Sequence, residues 1–209
     1  MADRKGKFIV FEGLDGSGKS TQIRRAEQYL SKRGFDVLCM SEPQEDRPTG
    51  RLLREILSGK ERSDPRLPAA MFAADRIDHI TRRGGILDLL DSGKCVLSDR
   101  FYLSSYAYNS LSVDLDWVIS LNSQAAAICR PDLHIFIDVP VEVALSRLAN
   151  RKSKEIYEKR ETLEKIFVNY HNLIQTLSCE ENVVVIDGTG DQDDVFESVK
   201  AAVDGVLAK

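Results

Sequence analysis

The sequence offers little from which to build a metal centre. Its four cysteines, Cys39, Cys95, Cys129 and Cys179, are widely spaced with no C-x-x-C pair, and its three histidines, His79, His134 and His171, are equally scattered. That spacing argues against a zinc ribbon or a disulfide framework, and the cysteines are expected to be small buried hydrophobes in a reducing compartment. No uninterrupted apolar run approaches the roughly 18 residues that cross a bilayer, and the N-terminus shows no apolar secretory segment. A cytoplasmic protein with no membrane partner is therefore expected. A dominant charge is missing too: 29 basic and 33 acidic residues leave a net −4, which suggests no nucleic-acid partner. No internal repeat or low-complexity tract divides the 209 residues, so one α/β domain, 1–209, is the simplest reading.

Against these absences stands Gly13-Leu14-Asp15-Gly16-Ser17-Gly18-Lys19-Ser20, a complete G-x-x-x-x-G-K-S phosphate loop. Phe8-Ile9-Val10-Phe11 before it has β-favouring apolar character. After it, Ile23, Ala26, Tyr29 and Leu30 form one helical stripe, so the loop sits between a strand and a helix as the motif requires. The glycines let successive backbone N–H groups converge on phosphate oxygens at a helix N-terminus. Lys19 can reach the β- and γ-phosphates of a nucleoside triphosphate, and the Ser20 hydroxyl is placed to ligate magnesium.

Further β-type runs occur at 36–40, 94–98, 133–137 and 183–186. Helical patterns separate them at 51–57, 67–90 with a break at Gly84-Gly85, 116–128, 141–148, 158–177 and 193–207. Continuous apolar strands alternating with helices predict a parallel sheet covered on both faces, with active groups beyond the strands' carboxyl ends. The phosphate loop, Glu42, Asp99-Arg100 and Asp138 occupy such ends.

Three segments suit a second substrate. Asp99 can position magnesium or its water, and Arg100 can grip a phosphate with its planar donor fork; a structural Asp–Arg pair capping the next turn is the alternative. Phe72 and Arg76 lie four residues apart on one helical face, suiting a stacked base and a paired phosphate, against core packing of Phe72 beside a solvated Arg76. The basic run from Arg147 through Arg151 to Lys154 is either a cationic cover for a triphosphate or a solvated connection.

Together these pieces resemble the thymidylate kinase family across about 7–207. The resemblance rests on Phe11-Glu12-Gly13-Leu14-Asp15-Gly16-Ser17-Gly18-Lys19-Ser20-Thr21-Gln22, on Glu42-Pro43, and on Phe72-Ala73-Ala74-Asp75-Arg76 with His79. It extends through Asp99-Arg100-Phe101 with Ser104-Ser105 and Ala107-Tyr108, and through Asp138-Val139-Pro140 with Ala144-Leu145-Ser146-Arg147. It implies a P-loop nucleoside monophosphate kinase fold, five parallel strands with helices on both faces and a short lid near 147–157. The implied reaction moves the γ-phosphoryl group of magnesium–ATP to thymidine monophosphate. Gly13 and Asp15 through Thr21 would hold the donor. Phe72 would stack on thymine with Arg76, Glu42, Ser104, Ser105 and Asn109 around the acceptor, Arg100 would contact its phosphate, and Asp15 would lie near the 3′-hydroxyl. Tyr108 would crowd a ribose 2′-hydroxyl.

This chain departs from the family pattern in three places. Gly16 stands where some members carry a catalytic loop arginine, which moves that role to a lid cation, Arg151 or Arg147, with Lys154 in support. Gln44-Glu45-Asp46-Arg47 replaces the glycines that follow Glu-Pro in many bacterial members. Asn109 ends the familiar Ala-Tyr-Gln with a shorter amide. The expected mechanism gives Lys19 and the lid cation to the transferring group, Ser20 and Asp99 to magnesium, and Arg100 to the acceptor. The rivals are a kinase for another nucleoside monophosphate or a deoxynucleoside, and a nucleotide-dependent switch or scaffold, although no guanine-reading Asn-Lys-x-Asp is present. A homodimer through helices within 67–90 and 116–128 is also expected.

Overall fold

A computed structural model describes residues 5–149, 157, 159–177 and 179–208. The chain alternates strands and helices in the order β1 (Phe8–Glu12), α1 (Lys19–Lys32), β2 (Val37–Ser41), α2 (Pro48–Leu57), α3 (Arg66–Thr81), α4 (Ile86–Asp91) and β3 (Cys95–Asp99). There follow α5 (Tyr102–Asn109), α6 (Leu115–Ile128), β4 (Leu133–Asp138), α7 (Val141–Leu148), α8 (Arg160–Leu177), β5 (Val183–Asp187) and α9 (Gln192–Leu207). The five strands form one parallel sheet in the order β2-β3-β1-β4-β5.

Strand alternation explains the two layers. Phe8 and Val10 of β1 pack among residues of α4, α5, α6 and α8, while Ile9 and Phe11 pack on α1 and α9. All five β1 residues are buried, which is why its sequence reads as one apolar run. The edge strands β2 and β5 are only partly covered.

The expected break at Gly84-Gly85 separates α3 from α4, with Gly84 in the left-handed region. Helix α6 begins where Asp114 accepts a hydrogen bond from the Trp117 amide at 3.0 Å. One helix escaped the sequence reading. Every residue of α5 is buried, so it has no polar face and no amphipathic period to detect. Two cysteines differ from expectation as well: Cys95 and Cys129 are buried, but Cys39 is only partly covered and Cys179 is exposed in the turn after α8.

Because β1 is central, the chain leaves it toward β3 and β2 on one side and β4 and β5 on the other. The resulting switch point opens a crevice beyond the strands' carboxyl ends. Main-chain bonds hold its rim: Arg100 N–H donates to Phe11 O at 2.9 Å and Glu42 N–H to Asp99 O at 3.2 Å. Gly13, Glu42 and Arg100 are thereby brought together from three strands.

Candidate active site

The phosphate loop bridges β1 and α1 at this crevice. Gly16 and Gly18 are both left-handed, with φ of 84° and 104°, and Gly18 is the N-cap of α1 with no side chain capping the helix. The leading amides of α1 are thus left to an anion. Gly16 is also sterically closed: a Cβ there would lie 2.5 Å from Ala144 O and 3.0 Å from Leu148 Cγ, both on α7. Lys19 is buried, and its ammonium donates to the carbonyls of Gly13 at 3.1 Å and Leu14 at 2.9 Å. Burial, followed by the nearby Arg100 charge, lowers the Lys19 pKa, while Asp99, Asp15 and Glu12 oppose the shift.

Ser20 Oγ donates to Asp99 Oδ2 at 3.0 Å, and Asp99 Oδ1 is buried with no hydrogen-bond partner among the described residues. A hydroxyl and a carboxylate with a spare oxygen suit a hard divalent cation. Among the described residues no group of three or more His, Cys, Asp or Glu side chains is arranged to hold a metal ion. Such an ion would therefore need phosphate oxygens or water to complete its shell.

Arg100 dominates the next sector. It has a φ of 75°, a left-handed conformation rare for a side-chain-bearing residue and costly unless its surroundings hold it. Nη2 meets Asp15 Oδ1 at 2.5 Å and Tyr108 OH at 3.0 Å; Nη1 donates to Ser104 Oγ at 3.0 Å, Gly13 O at 3.3 Å and Tyr170 OH at 3.4 Å. Its guanidinium carbon lies 4.6 Å from the centre of the Tyr108 ring. Burial works against the Arg100 charge, but Asp15, Tyr108, Tyr170 and Asp99 outweigh it. Tyr108 OH also donates to Asp15 Oδ2 at 3.3 Å, and burial raises the Tyr108 pKa.

Phe72 and Arg76 share a helix face on α3, as their spacing predicts, and both line the cavity. Arg76 is not solvated. It is 1% exposed, with Nε and Nη2 on Glu42 Oε2 at 2.7 and 2.6 Å and Nη1 on Ser105 Oγ at 3.2 Å and on Asn122 Oδ1. His79 Nδ1 stands 3.5 Å from the other Glu42 oxygen. Asn109 is buried and also lines the cavity.

The segment after Glu42-Pro43 faces elsewhere. Gln44 binds Arg82 and donates its amide to Asp75 at 3.1 Å, while Arg47 Nε pairs with Asp78 at 3.0 Å. These contacts tie the segment before α2 to α3. Arg54 and Leu57 of α2 line the cavity instead.

On the far side of the phosphate loop, Arg147 of α7 donates to Ser17 O at 3.0 Å and Gly188 O at 2.9 Å. Gly190, Gln192 and Val195 continue this wall. Arg151 and Lys154, with residues 150–156 of the expected lid, lie outside the described residues; Tyr157 is described, and packs edge-on against Tyr108 at 5.3 Å. One cavity of about 640 Å³ runs from the Arg147 wall past the loop, including Thr21, to Phe72 and Tyr108. That volume suits more than one small substrate group.

Four contributors received no functional role from the sequence: Glu12, Arg54, Asn122 and Tyr170. Asn122 had a readable signal, since it interrupts an otherwise apolar buried stripe of Val118 and Ala125 on α6. Tyr170 had none, being one apolar-stripe residue of a long helix.

A family model described as Thymidylate kinase matches residues 11–199. A probable thymidylate kinase of Thermococcus onnurineus is 35% identical over 212 residues, covering 97% of this chain and 99% of that protein. The thymidylate kinase of Caldicellulosiruptor saccharolyticus is 35% identical over 209 residues, covering 98% and 99%. That of Desulfotalea psychrophila is 35% identical over 176 residues, covering 83% and 84%.

Proposed function

The chain belongs to the thymidylate kinase family, and from that membership we propose how its residues divide the transfer of the γ-phosphoryl group of ATP to thymidine monophosphate. The products are thymidine diphosphate and ADP. The observation that carries the division of labour is the single cavity in which the phosphate loop faces a pocket built on Phe72, Arg100 and Tyr108.

ATP lies with its phosphates on Gly13 and Asp15 through Thr21, between the N-terminus of α1 and Arg147. Lys19 exchanges its loop carbonyl partners for phosphate oxygens, which are stronger acceptors of a charged donor. Ser20 and Asp99 would hold magnesium, which would neutralise phosphate charge. Support for that pair is the unpartnered buried oxygen of Asp99.

On the acceptor side, thymine stacks on Phe72. Arg76, braced by Glu42 and Asn122, offers only donors, so a base carbonyl fits where an amino group would leave donors opposed. Ser105 and Asn109 complete that wall. Asp15 addresses the 3′-hydroxyl, and the Tyr108 ring excludes a 2′-hydroxyl by bulk. Arg100 takes the acceptor phosphate, in a cavity that Arg54 also lines. That phosphate is already an anionic nucleophile, so alignment and charge stabilisation carry the rate and no strong base is needed. A cation from 147–157 serves the transferring group; Arg147 has both terminal nitrogens on backbone carbonyls, which favours Arg151 for that role.

Arg100→Ala tests the assignment, with a loss of thymidylate turnover far exceeding any change in ATP affinity; undiminished turnover would remove Arg100 from the mechanism. Side-by-side turnover of thymidine, deoxyuridine, deoxycytidine and adenosine monophosphates tests the base reading, which fails if another base is preferred. A homodimer is supported by Leu67 of α3 and Leu115, Trp117 and Ile128 of α6, large apolar side chains left exposed on two helices that pack together. A light-scattering mass near one chain would refute it. Among the described residues no helix is long and apolar enough to cross a membrane.

A further inference from the structure

A polar cluster lies behind Arg100, and no step above uses its Glu12 or Tyr170. Glu12, the last residue of β1 and the immediate predecessor of the phosphate loop, is fully buried. Its Oε1 accepts from the Phe101 and Ser104 amides at 3.0 and 3.4 Å, at the start of α5. Its Oε2 accepts from Ser104 Oγ at 2.5 Å and from Tyr170 OH at 3.0 Å. Two hydroxyls thus stand between a buried carboxylate and the Arg100 guanidinium. Because the carboxylate draws their protons, both oxygens turn lone pairs toward Arg100 Nη1, at 3.0 Å from Ser104 and 3.4 Å from Tyr170.

Packing does not explain the Tyr170 hydroxyl. The ring already fills the core against Phe136 and Tyr108, with centroids 5.0 and 6.1 Å away, and phenylalanine would fill the same space. A buried hydroxyl costs free energy unless it is bonded, and this one bonds only the cluster that holds Arg100. The left-handed Arg100 backbone also needs surroundings that over-determine it.

We propose that Tyr170 of α8 is a positioning residue for the acceptor phosphate: with Glu12 and Ser104 it fixes the Arg100 guanidinium from behind. This role rests on the thymidylate kinase reading. It places one determinant of acceptor binding on a helix that carries none of the motifs, and it links that determinant to the residue preceding the phosphate loop.

The test is steady-state kinetics of Tyr170→Phe with each substrate varied in turn. The hydroxyl acts on thymidylate only through the Arg100 side chain, so its loss should raise KM for thymidylate about three- to tenfold. KM for ATP should stay within about twofold, a split that a merely structural role would not produce. Ser104→Ala should show the same split, and keeps the proposal testable if Tyr170→Phe folds poorly. Tyr102→Phe removes a buried phenol from α5 that has no bond to Arg100, and should leave KM for thymidylate unchanged. Unchanged KM values in Tyr170→Phe, or a parallel rise in both, would overturn the proposal. Wild-type protein that does not phosphorylate thymidylate would overturn the functional reading as well, whereas normal wild-type turnover without the split removes only the role of Tyr170.

Discussion

Gly16→Ala isolates the reason this chain has no arginine in its phosphate loop. Two costs add. Placing an alanine at φ 84° costs about 1–2 kcal/mol, because its Cβ approaches the following carbonyl. The same Cβ would stand 2.5 Å from Ala144 O and 3.0 Å from Leu148 Cγ, so α7 must move; overpacking of this kind costs about 1–3 kcal/mol. The sum, about 2–5 kcal/mol, corresponds to a fall in Tm of about 4–20 °C for a chain of this size. Moving α7 also drags Arg147 from the carbonyls of Ser17 and Gly188, so KM for ATP should rise. Gly16→Arg carries the same Cβ and should show the same loss, with no catalytic gain from its guanidinium. Differential scanning calorimetry and ATP-varied kinetics measure both effects. A Tm within 2 °C of wild type, with unchanged KM for ATP, would refute the steric argument.

Three further perturbations follow from burial. Glu42→Gln strips the Arg76 guanidinium of its buried partner and should cost about 3–5 kcal/mol, read as a lower urea midpoint; an unchanged midpoint would mean the pair is not the main constraint on Arg76. A thiol reagent added to native protein should modify exposed Cys179 first and buried Cys95 and Cys129 last, as peptide mass spectrometry would report; early labelling of Cys95 would contradict the packing. Alkaline pH should destabilise the fold. Burial pushes the Cys95 thiol and the Tyr106 phenol up to about 12, whereas unfolded chains lose those protons near 9.0 and 10.0. The unfolded state then binds fewer protons, so unfolding free energy falls as pH rises from 9 toward 12. A flat urea midpoint between pH 8.5 and 11 would refute this.

The sheet was legible because its central strands are buried on both faces and read as unbroken apolar runs, and because Gly84-Gly85 marks a real helix break. Helix α5 was not, since a helix buried all round has no period. Within the site, Phe72 and Arg76 were placed together by their i, i+4 spacing, but their surroundings were not: Glu42, Ser105 and Asn122 come from three other segments to immobilise Arg76. Arg47 drew notice in the sequence because it stands in the departing segment after Glu42-Pro43, yet it pairs with Asp78, while Arg54, which no motif marks, pairs with Glu45 and lines the cavity.

The sequence by itself determined the chemistry of the donor side, because eight consecutive residues suffice to form a phosphate-binding loop and their spacing is local. Only the tertiary structure decided how the acceptor side is held. Its proposed determinants are single residues on β1, α3, α5, α6 and α8 and just after β2 and β3, and their meaning lies in distances that adjacency along the chain does not encode. The same holds for the missing loop arginine. Gly16 announces its absence, but only the approach of α7 to within a Cβ's reach supplies the physical reason.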